Sequence, residues 1–494
     1  MKQTIAKHDW LAVQGCLGMA WYRLRTERET PTEAELFRML QGQEVGVLAR
    51  GLFPDGVLVM RSDAKSTAQI TRDYCADLSV MTMFEAEVRI GPFIAKADIL
   101  QRDGAKWHII EVKSSFSDTK SLSELIDDLA YTVMVFRRAG FAVSRASLAL
   151  LSRTYRFGDP PDKLFEFLLK TDEINQRVTE FDSQADEVAR VLFDPTQPAP
   201  RLVSACRSCP AYIGKCLGSD ISHTVLEIPR LHHTRLKRLS QEGVVDVTQL
   251  PPDLPLNPNQ SRAVKSMISG QPVVEDGLAL RLSKLTWPCH YLDFETVATV
   301  LPLYPSHGCH RQTLTQFSIH HRTTMKDVPT HSEYLADPAH DCEGELARRL
   351  IEALGNTGSV IVYTKFEEKR IEALRDQFPE LKAPLDAILG RLADLEAMIE
   401  QNIYHPEFHG SFSIKKVLPA LVPELSYAGL EIKNGDMAIA RFAKMAKGQI
   451  LGNDVEATRK QLLEYCKMDT LAMVKLHETL CALAGGHLTK VPAG

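Results

Sequence analysis

Apolar and polar positions alternate along ADILQRDGAKWHIIEVK, residues 97–113, with an Asp-Gly pair at the centre. A period of two predicts strands at DILQR and HIIEV, joined as a hairpin through that turn. Strand side chains alternate faces, so Glu111 and Lys113 point one way and Val112 the other, and Asp98 on the partner strand can lie opposite that pair. Taken alone, the same three charges would suit the solvent face of a hairpin.

The spacing lengthens to a helical one in LSELIDDLAYTVMVFRRAG, and KLFEFLLKTDEINQRVTEF reads as a long amphipathic stretch. Residues 1–222, which close with a Pro-rich segment and a cysteine cluster, are expected to form a mixed α/β domain. Over 223–285, short helical pieces, the turn QEGVVDVTQLPPDLPLNPNQ and the basic run RLHHTRLKRL predict a small helical connector. The strand-like WPCHYLDFET opens a second α/β unit over 286–494, with another strand at GSVIVYT and a last helix near EATRKQLLEYCKMDTLAMVKLHETL. The fold class is therefore α/β, in several domains.

Composition narrows the function classes. A chain of 494 residues exceeds one ordinary core, and 44% hydrophobic with 24% charged residues is the balance of a folded protein. A net charge of -5 shows no global basic excess, so a nucleic-acid site must be a local patch. The N-terminus MKQTIAKHDW lacks the apolar core of a signal peptide, and no run approaches the roughly 20 apolar residues of a membrane span. A cytoplasmic location without membrane partners is the resulting expectation. In that compartment ten cysteines suit metal binding or buried thiols better than disulfides.

Their spacing is informative. CRSCPAYIGKC holds Cys206, Cys209 and Cys216, and WLAVQGCLGMAWYRL offers Cys16 as a fourth ligand. Four thiolates suit either tetrahedral zinc or an iron–sulfur cluster, and spacing does not separate the two. Cys75, Cys289, Cys309, Cys342, Cys466 and Cys481 are scattered and read as ordinary thiols.

Asp98, Glu111-x-Lys113, a following helix, one early cysteine and a late CxxC-x6-C together resemble the RecB-like branch of the PD-(D/E)XK nucleases. That resemblance implies a 4Fe–4S clasp on Cys16, Cys206, Cys209 and Cys216, and Mg2+ or Mn2+ held by Asp98 and Glu111. Lys113 would stand beside the attacking water and the developing negative charge. The family's Gln-x3-Tyr is replaced here by Thr132 and Phe136, and its upstream histidine is missing, with Glu44 as a substitute.

HYLDFETV places Asp293 and Glu295 on one strand face; YTKFEEKRI puts Glu367 near a helix start; LLEYCKMDTLAM sets Tyr465 and Asp469 on one helix face. These resemble the DEDD exonucleases of the ribonuclease H-like fold, in the variant whose third motif is Tyr-x3-Asp. The second motif departs, being Thr364-x2-Glu367, and Asp394 competes with Glu367 as a ligand. The resemblance implies that Asp293, Glu295, Glu367 and Asp469 bind two Mg2+ or Mn2+ ions roughly 4 Å apart, with Tyr465 orienting the water. FHGSFSIKKVLPAL, with Lys415 and Lys416, is either a solvated helix start or a phosphate-binding edge. QEGVVDVTQL resembles half of a helix-hairpin-helix, with a plain linker as the alternative.

The whole order resembles an uncharacterised bacterial family of fused nucleases. It implies two metal-dependent sites acting on DNA, with single strands or ends favoured, in repair or anti-phage defence. Two alternatives stand beside it: a nucleic-acid-binding module with one or both sites inactive, and an RNA-processing exonuclease.

Overall fold

The computed structural model describes residues 4–27, 30–209, 212–218 and 221–488. They divide into two compact units, one of residues 1–220 with 299–311, the other of 221–298 with 312–494. Each unit mixes helices with one principal sheet, an α/β construction in both.

The first unit opens with helices α1 (Lys7–Gly15) and α2 (Leu17–Arg25), which break at Cys16, and continues with α3 (Glu33–Arg50). Its strands are β1 (Val57–Leu58), β2 (Thr82–Ile90), β3 (Phe93–Asp103), β4 (Lys106–Phe116), β5 (Val143–Leu151) and β6 (Phe165–Leu169), in that spatial order. Helix α4 (Thr67–Ala76) precedes β2. Strands β3 and β4 pair antiparallel around Gly104, whose φ of +61° suits the tight turn. Strands β4 and β5 are parallel, and α5 (Leu122–Arg138) makes the crossover that parallel pairing requires. Helix α6 (Thr171–Phe193) follows β6.

Alternation along the strands sorts the core. Leu100 and Ile109 pack with Trp10, Tyr131, Met134 and Phe181 from the helices of one face, while Ile99 and Ile110 pack with Val45 and Ala49 of α3 on the other. Each such fully buried side chain is worth roughly 1.5–3 kcal/mol. Asp98, Glu111 and Lys113 share parity with Leu100 and Ile109, so their face is the one covered by α1 and α5. The long amphipathic stretch KLFEFLLKTDEINQRVTEF divides into a strand and a helix. Phe165–Leu169 is an edge strand antiparallel to β5, because Phe-Glu-Phe-Leu-Leu alternates in burial, and the helix begins only at Thr171.

The second unit begins with the connector segment: α7 (His233–Gln241), α8 (Pro258–Ser269), the short β7 (Val273–Val274) and α9 (Gly277–Leu282). Val247–Gln249, in the stretch that resembles half of a helix-hairpin-helix, is a single 3-10 turn ahead of Pro251 and Pro252. The main strands are β8 (Cys289–Ala298), β9 (Gln312–Arg322), β10 (Thr330–Leu335), β11 (Ser359–Val362) and β12 (Leu392–Asp394). Helix α10 (Glu343–Leu354) precedes β11, with α11 (Phe366–Gln377) and α12 (Lys382–Leu389) between β11 and β12. Next come α13 (Leu395–Asn402), β13 (Ile403–Tyr404), α14 (Ile414–Leu421), α15 (Gly435–Ala446) and the long α16 (Asn453–Leu488).

The sheet order is β10-β9-β8-β11-β12, antiparallel from β10 to β8 and parallel from β8 to β12. The chain leaves β8 toward one edge and later builds from β11 toward the other. That makes the β8/β11 boundary a topological switch point, where open α/β sheets leave a crevice beyond the strand ends. Pairing with β11 stops at Ile361 opposite Tyr291, two positions before Asp293, so the crevice begins at the acidic residues. Among the described residues no helix is long and apolar enough to cross a membrane.

Candidate active sites

In the first unit the hairpin brings its three charges together, and α5 adds a fourth. Val112 N donates to Asp98 Oδ2 at 2.8 Å, and Lys113 Nζ lies 3.0 Å from Glu111 Oε1. Lys113 also pairs closely with Asp128 of α5. From α1, Lys7 Nζ reaches Glu111 Oε1 at 2.5 Å and Asp128 Oδ2 at 3.4 Å. Burial and then the Glu111 charge push the Asp98 carboxyl up to about 7. Burial would raise Glu111 as well, but Lys113 and Lys7 outweigh it and hold that carboxyl down at about 2. Lys113 is lowered by burial and raised more by Glu111 and Asp128, so its net shift is upward. Glu111 Oε2 is buried without a hydrogen-bond partner among the described residues.

Lys7 and Asp128 are not among the residues expected from sequence. Asp128 has a signal, a charge inside the apolar helix LSELIDDLAYTVMVF, one turn before Thr132. Lys7 has none, because it acts on Glu111 from 104 positions away. Thr132 and Phe136 are buried in the core. Glu44 is half-buried on α3, whose Val45 and Ala49 pack on the opposite face of the sheet.

Cys16 and the cysteine segment come near enough for their charges to act on one another. Cys16 sits at the break between α1 and α2, Cys206 is buried in a 3-10 turn, and Cys209 and Cys216 are half-buried. Burial pushes the Cys216 thiol up, and Cys16, Cys206 and Cys209 each push it further. Pro210 and Ala211, inside this segment, lie outside the described residues.

In the second unit, ligand oxygens of Asp293, Glu295 and Asp469 lie within 4.8 Å of one another. The docking of α16 sets this register. Gln316 Nε2 donates to Leu462 O at 3.0 Å, Thr470 Oγ1 lies 2.9 Å from Ser318 Oγ and 2.7 Å from His320 Nδ1, and Tyr291 Oη meets His477 Nδ1 at 2.7 Å. Those polar contacts along one helix face leave Tyr465 and Asp469 turned to the end of β8. Cys466 Sγ lies 3.3 Å from Asp293 Oδ2, so one of the thiols read as ordinary touches the site.

Burial, then Asp469, Glu367 and Glu295, pushes the Asp293 carboxyl well above the usual range. Burial and Asp469 push Glu295 up to about 8, and burial carries Glu367 up to about 8. Asp469 is raised less, to about 6, because Tyr427 and Lys415 oppose its burial. Glu367 is buried with Oε2 lacking a hydrogen-bond partner among the described residues, and its charge acts on Asp293 and Glu295. Asp394 instead caps α13 through Ala397 N at 2.7 Å and acts on Glu367.

Tyr427 joins this site without having been expected, and Lys415, read from sequence as part of a solvated helix start or a phosphate-binding edge, lies beside it. Tyr427 Oη donates to Asp469 Oδ1 at 2.5 Å from a stretch, LSYAGL, that carries no motif. Lys415 Nζ lies 6.0 Å from the centre of the Tyr465 ring and lowers Glu295 and Asp469 electrostatically, while Lys416 is exposed. The connector's basic run is partly neutralised, Arg230 pairing with Glu400 and Arg238 with Glu242 and Asp253.

Residues 290–413 match a family described as "Domain of unknown function (DUF2779)". The chain is also 28% identical over 208 residues to "Uncharacterized protein UU173" of Ureaplasma parvum serovar 3, an alignment covering 37% of this chain and 30% of that protein. The matched family segment contains Asp293, Glu295, Glu367 and Asp394, and so embraces the switch point of the second sheet.

Proposed function

We propose that the chain is a bacterial cytoplasmic nuclease, hydrolysing phosphodiester bonds with Mg2+ or Mn2+. A RecB-like PD-(D/E)XK site would occupy the first unit and a ribonuclease H-like DEDD site the second. DNA is favoured over RNA, single strands or ends in particular, in repair or defence against phage. The observation that carries this reading is the convergence of Asp293, Glu295, Glu367 and Asp469 at the sheet's switch point, each carboxyl pushed up by burial. Four buried acids repel one another unless protonated or neutralised by a cation.

The residues fit hard divalent ions. Their donors are oxygens, and Glu367 Oε2 and Glu111 Oε2 are buried without hydrogen-bond partners among the described residues. Asp293, Glu295, Glu367 and Asp469 would hold the ions of the second site, and Asp98 and Glu111 that of the first. Bound there, such ions supply neutralisation of phosphate charge and a more acidic water. Tyr427 fixes the Asp469 carboxylate, Tyr465 orients the attacking water, and Lys415 presents positive charge to a phosphate at the rim. In the first unit Asp128 and Glu111 hold the Lys113 ammonium, ready to stabilise negative charge on a phosphate oxygen. Cys16, Cys206, Cys209 and Cys216 would hold a 4Fe–4S cluster as a structural clasp.

One observation favours a second reading for the first unit alone. Lys7 and Lys113 already balance Glu111 and Asp128, which suits a nucleic-acid-binding module with an inactive site. The test is cleavage of labelled single- and double-stranded DNA and RNA with Mg2+ or Mn2+, comparing wild type with Lys113→Ala. Two working sites predict that Lys113→Ala removes one activity and leaves another. A Lys113→Ala protein that matches wild type on every substrate makes the first unit a binding module.

A further inference from the structure

A separate cluster lies where the connector meets the loop before α14. His223 Nδ1 is 2.9 Å from Glu227 Oε2, and His409 Nδ1 is 3.0 Å from the same oxygen. The three donor atoms fall within 4.8 Å of one another, and the two imidazole centres are 5.7 Å apart. Neither the nuclease motifs nor the family match explains why two imidazoles converge on one carboxylate oxygen. We propose that His223, Glu227 and His409 form a binding site for a first-row divalent cation, with zinc the best fit.

The surroundings are built to hold these three groups. Glu227 is buried, and its other oxygen, Oε1, accepts from Thr224 N at 2.8 Å, which leaves Oε2 facing the imidazoles. His409 has φ +47° and Gly410 φ +80°. A Cβ at Gly410 would stand 2.6 Å from Glu227 O, so the loop can approach Glu227 this closely only through glycine. Tyr404 Oη braces both sides, donating to Glu227 O at 3.3 Å and accepting from Gly410 N at 2.9 Å.

The chemistry of the donor set favours zinc over the hard ions of the acidic sites. Two imidazole nitrogens and one carboxylate oxygen are a common zinc set that leaves a fourth position for water. Tetrahedral bonds of about 2.0–2.1 Å place donors about 3.3 Å apart, so each contact need open by only about 0.4 Å. His409 Nε2 lies 3.4 Å from Glu407 Oε2, the carboxylate support that ligating histidines commonly receive. The His409 side chain is 41% exposed, so the cation has a path from solvent. Bound there, it would tie residues 223–227 to the loop leading into α14.

The test is zinc binding by full-length protein without a polyhistidine tag, measured by equilibrium dialysis and elemental analysis in excess Mg2+ to cover the oxygen-only sites. His409→Ala and Glu227→Gln are each expected to bind one zinc fewer than wild type with unchanged iron content. Glu407→Gln is expected to keep the zinc with about tenfold weaker affinity. Because His409 is partly exposed, circular dichroism of the zinc-free His409→Ala protein should match wild type. Equal zinc stoichiometry and affinity in wild type, His409→Ala and His409→Gln would overturn the proposal, leaving a hydrogen-bonded His–Glu–His cluster.

Discussion

Tyr427 donates to Asp469 Oδ1 at 2.5 Å across 42 positions of sequence, and this contact opposes the burial that raises the Asp469 carboxyl. Removing the donor lets Asp469 take up a proton at higher pH. Since a ligand carboxylate must be ionised, the acid limb of the pH–rate profile for Tyr427→Phe should move up by about one pH unit. Tyr465→Phe should instead lower the plateau rate by roughly tenfold to a thousandfold, because water positioning is lost while the carboxylates remain. Profiles of the two variants side by side separate these roles.

Stability should respond to pH in two opposed ways. Glu295 and Glu367 titrate near 8 when folded against an ordinary 4.5, so the folded chain holds more protons between those values. Their contribution is full at the acid end and is lost as pH rises through 8. His320, His321, His331 and His477 are held near 4 by burial, and their contribution, full above 6.5, is lost as pH falls toward 4. Metal-free protein should therefore melt at lower temperature both below pH 6 and above pH 7. Mg2+ or Mn2+ should remove only the alkaline loss, which thermal melts across pH with and without the ion would read.

The period-two pattern and the Tyr-x3-Asp spacing made β3, β4, β8 and the acidic face of α16 legible in sequence, because local geometry alone places those residues. The pairing of Lys7 with Glu111 and of Tyr427 with Asp469 was not legible, since both depend on tertiary packing between distant segments. The division of KLFEFLLKTDEINQRVTEF into the edge strand Phe165–Leu169 and a helix from Thr171 was not legible, because a short apolar run has no decisive period until its sheet neighbour is known. The His223–Glu227–His409 cluster escaped for the same reason as Lys7, Glu227 and His409 lying 182 positions apart.

Lys7 offers a test of the first unit. Lys7→Met removes one of the two cations holding Glu111 down, so Glu111 and Asp98 should share a proton nearer neutrality. Breaking that buried pairing should cost about 3 kcal/mol of stability in chelator. Saturating Mn2+ should recover most of the loss if the site takes a metal, as thermal melts would show.

The cysteine clasp makes a compositional prediction. Protein purified without oxygen should be brown and carry about four irons per chain. Zinc in place of iron would keep the clasp and reject the cluster. Cys209→Ser should lower the melting temperature, because a structural metal contributes folding free energy.

Cleavage of labelled single-stranded DNA by wild type and by Asp293→Asn, at matched Mn2+ and with folding checked by circular dichroism, decides whether the acidic cluster of the second unit is a nuclease site. Metal-dependent cleavage is expected from wild type, reduced by at least about a hundredfold in Asp293→Asn on the substrates of the second site. Equal cleavage by the two proteins, or no metal-dependent cleavage of any DNA or RNA by wild type, would contradict a nuclease site there.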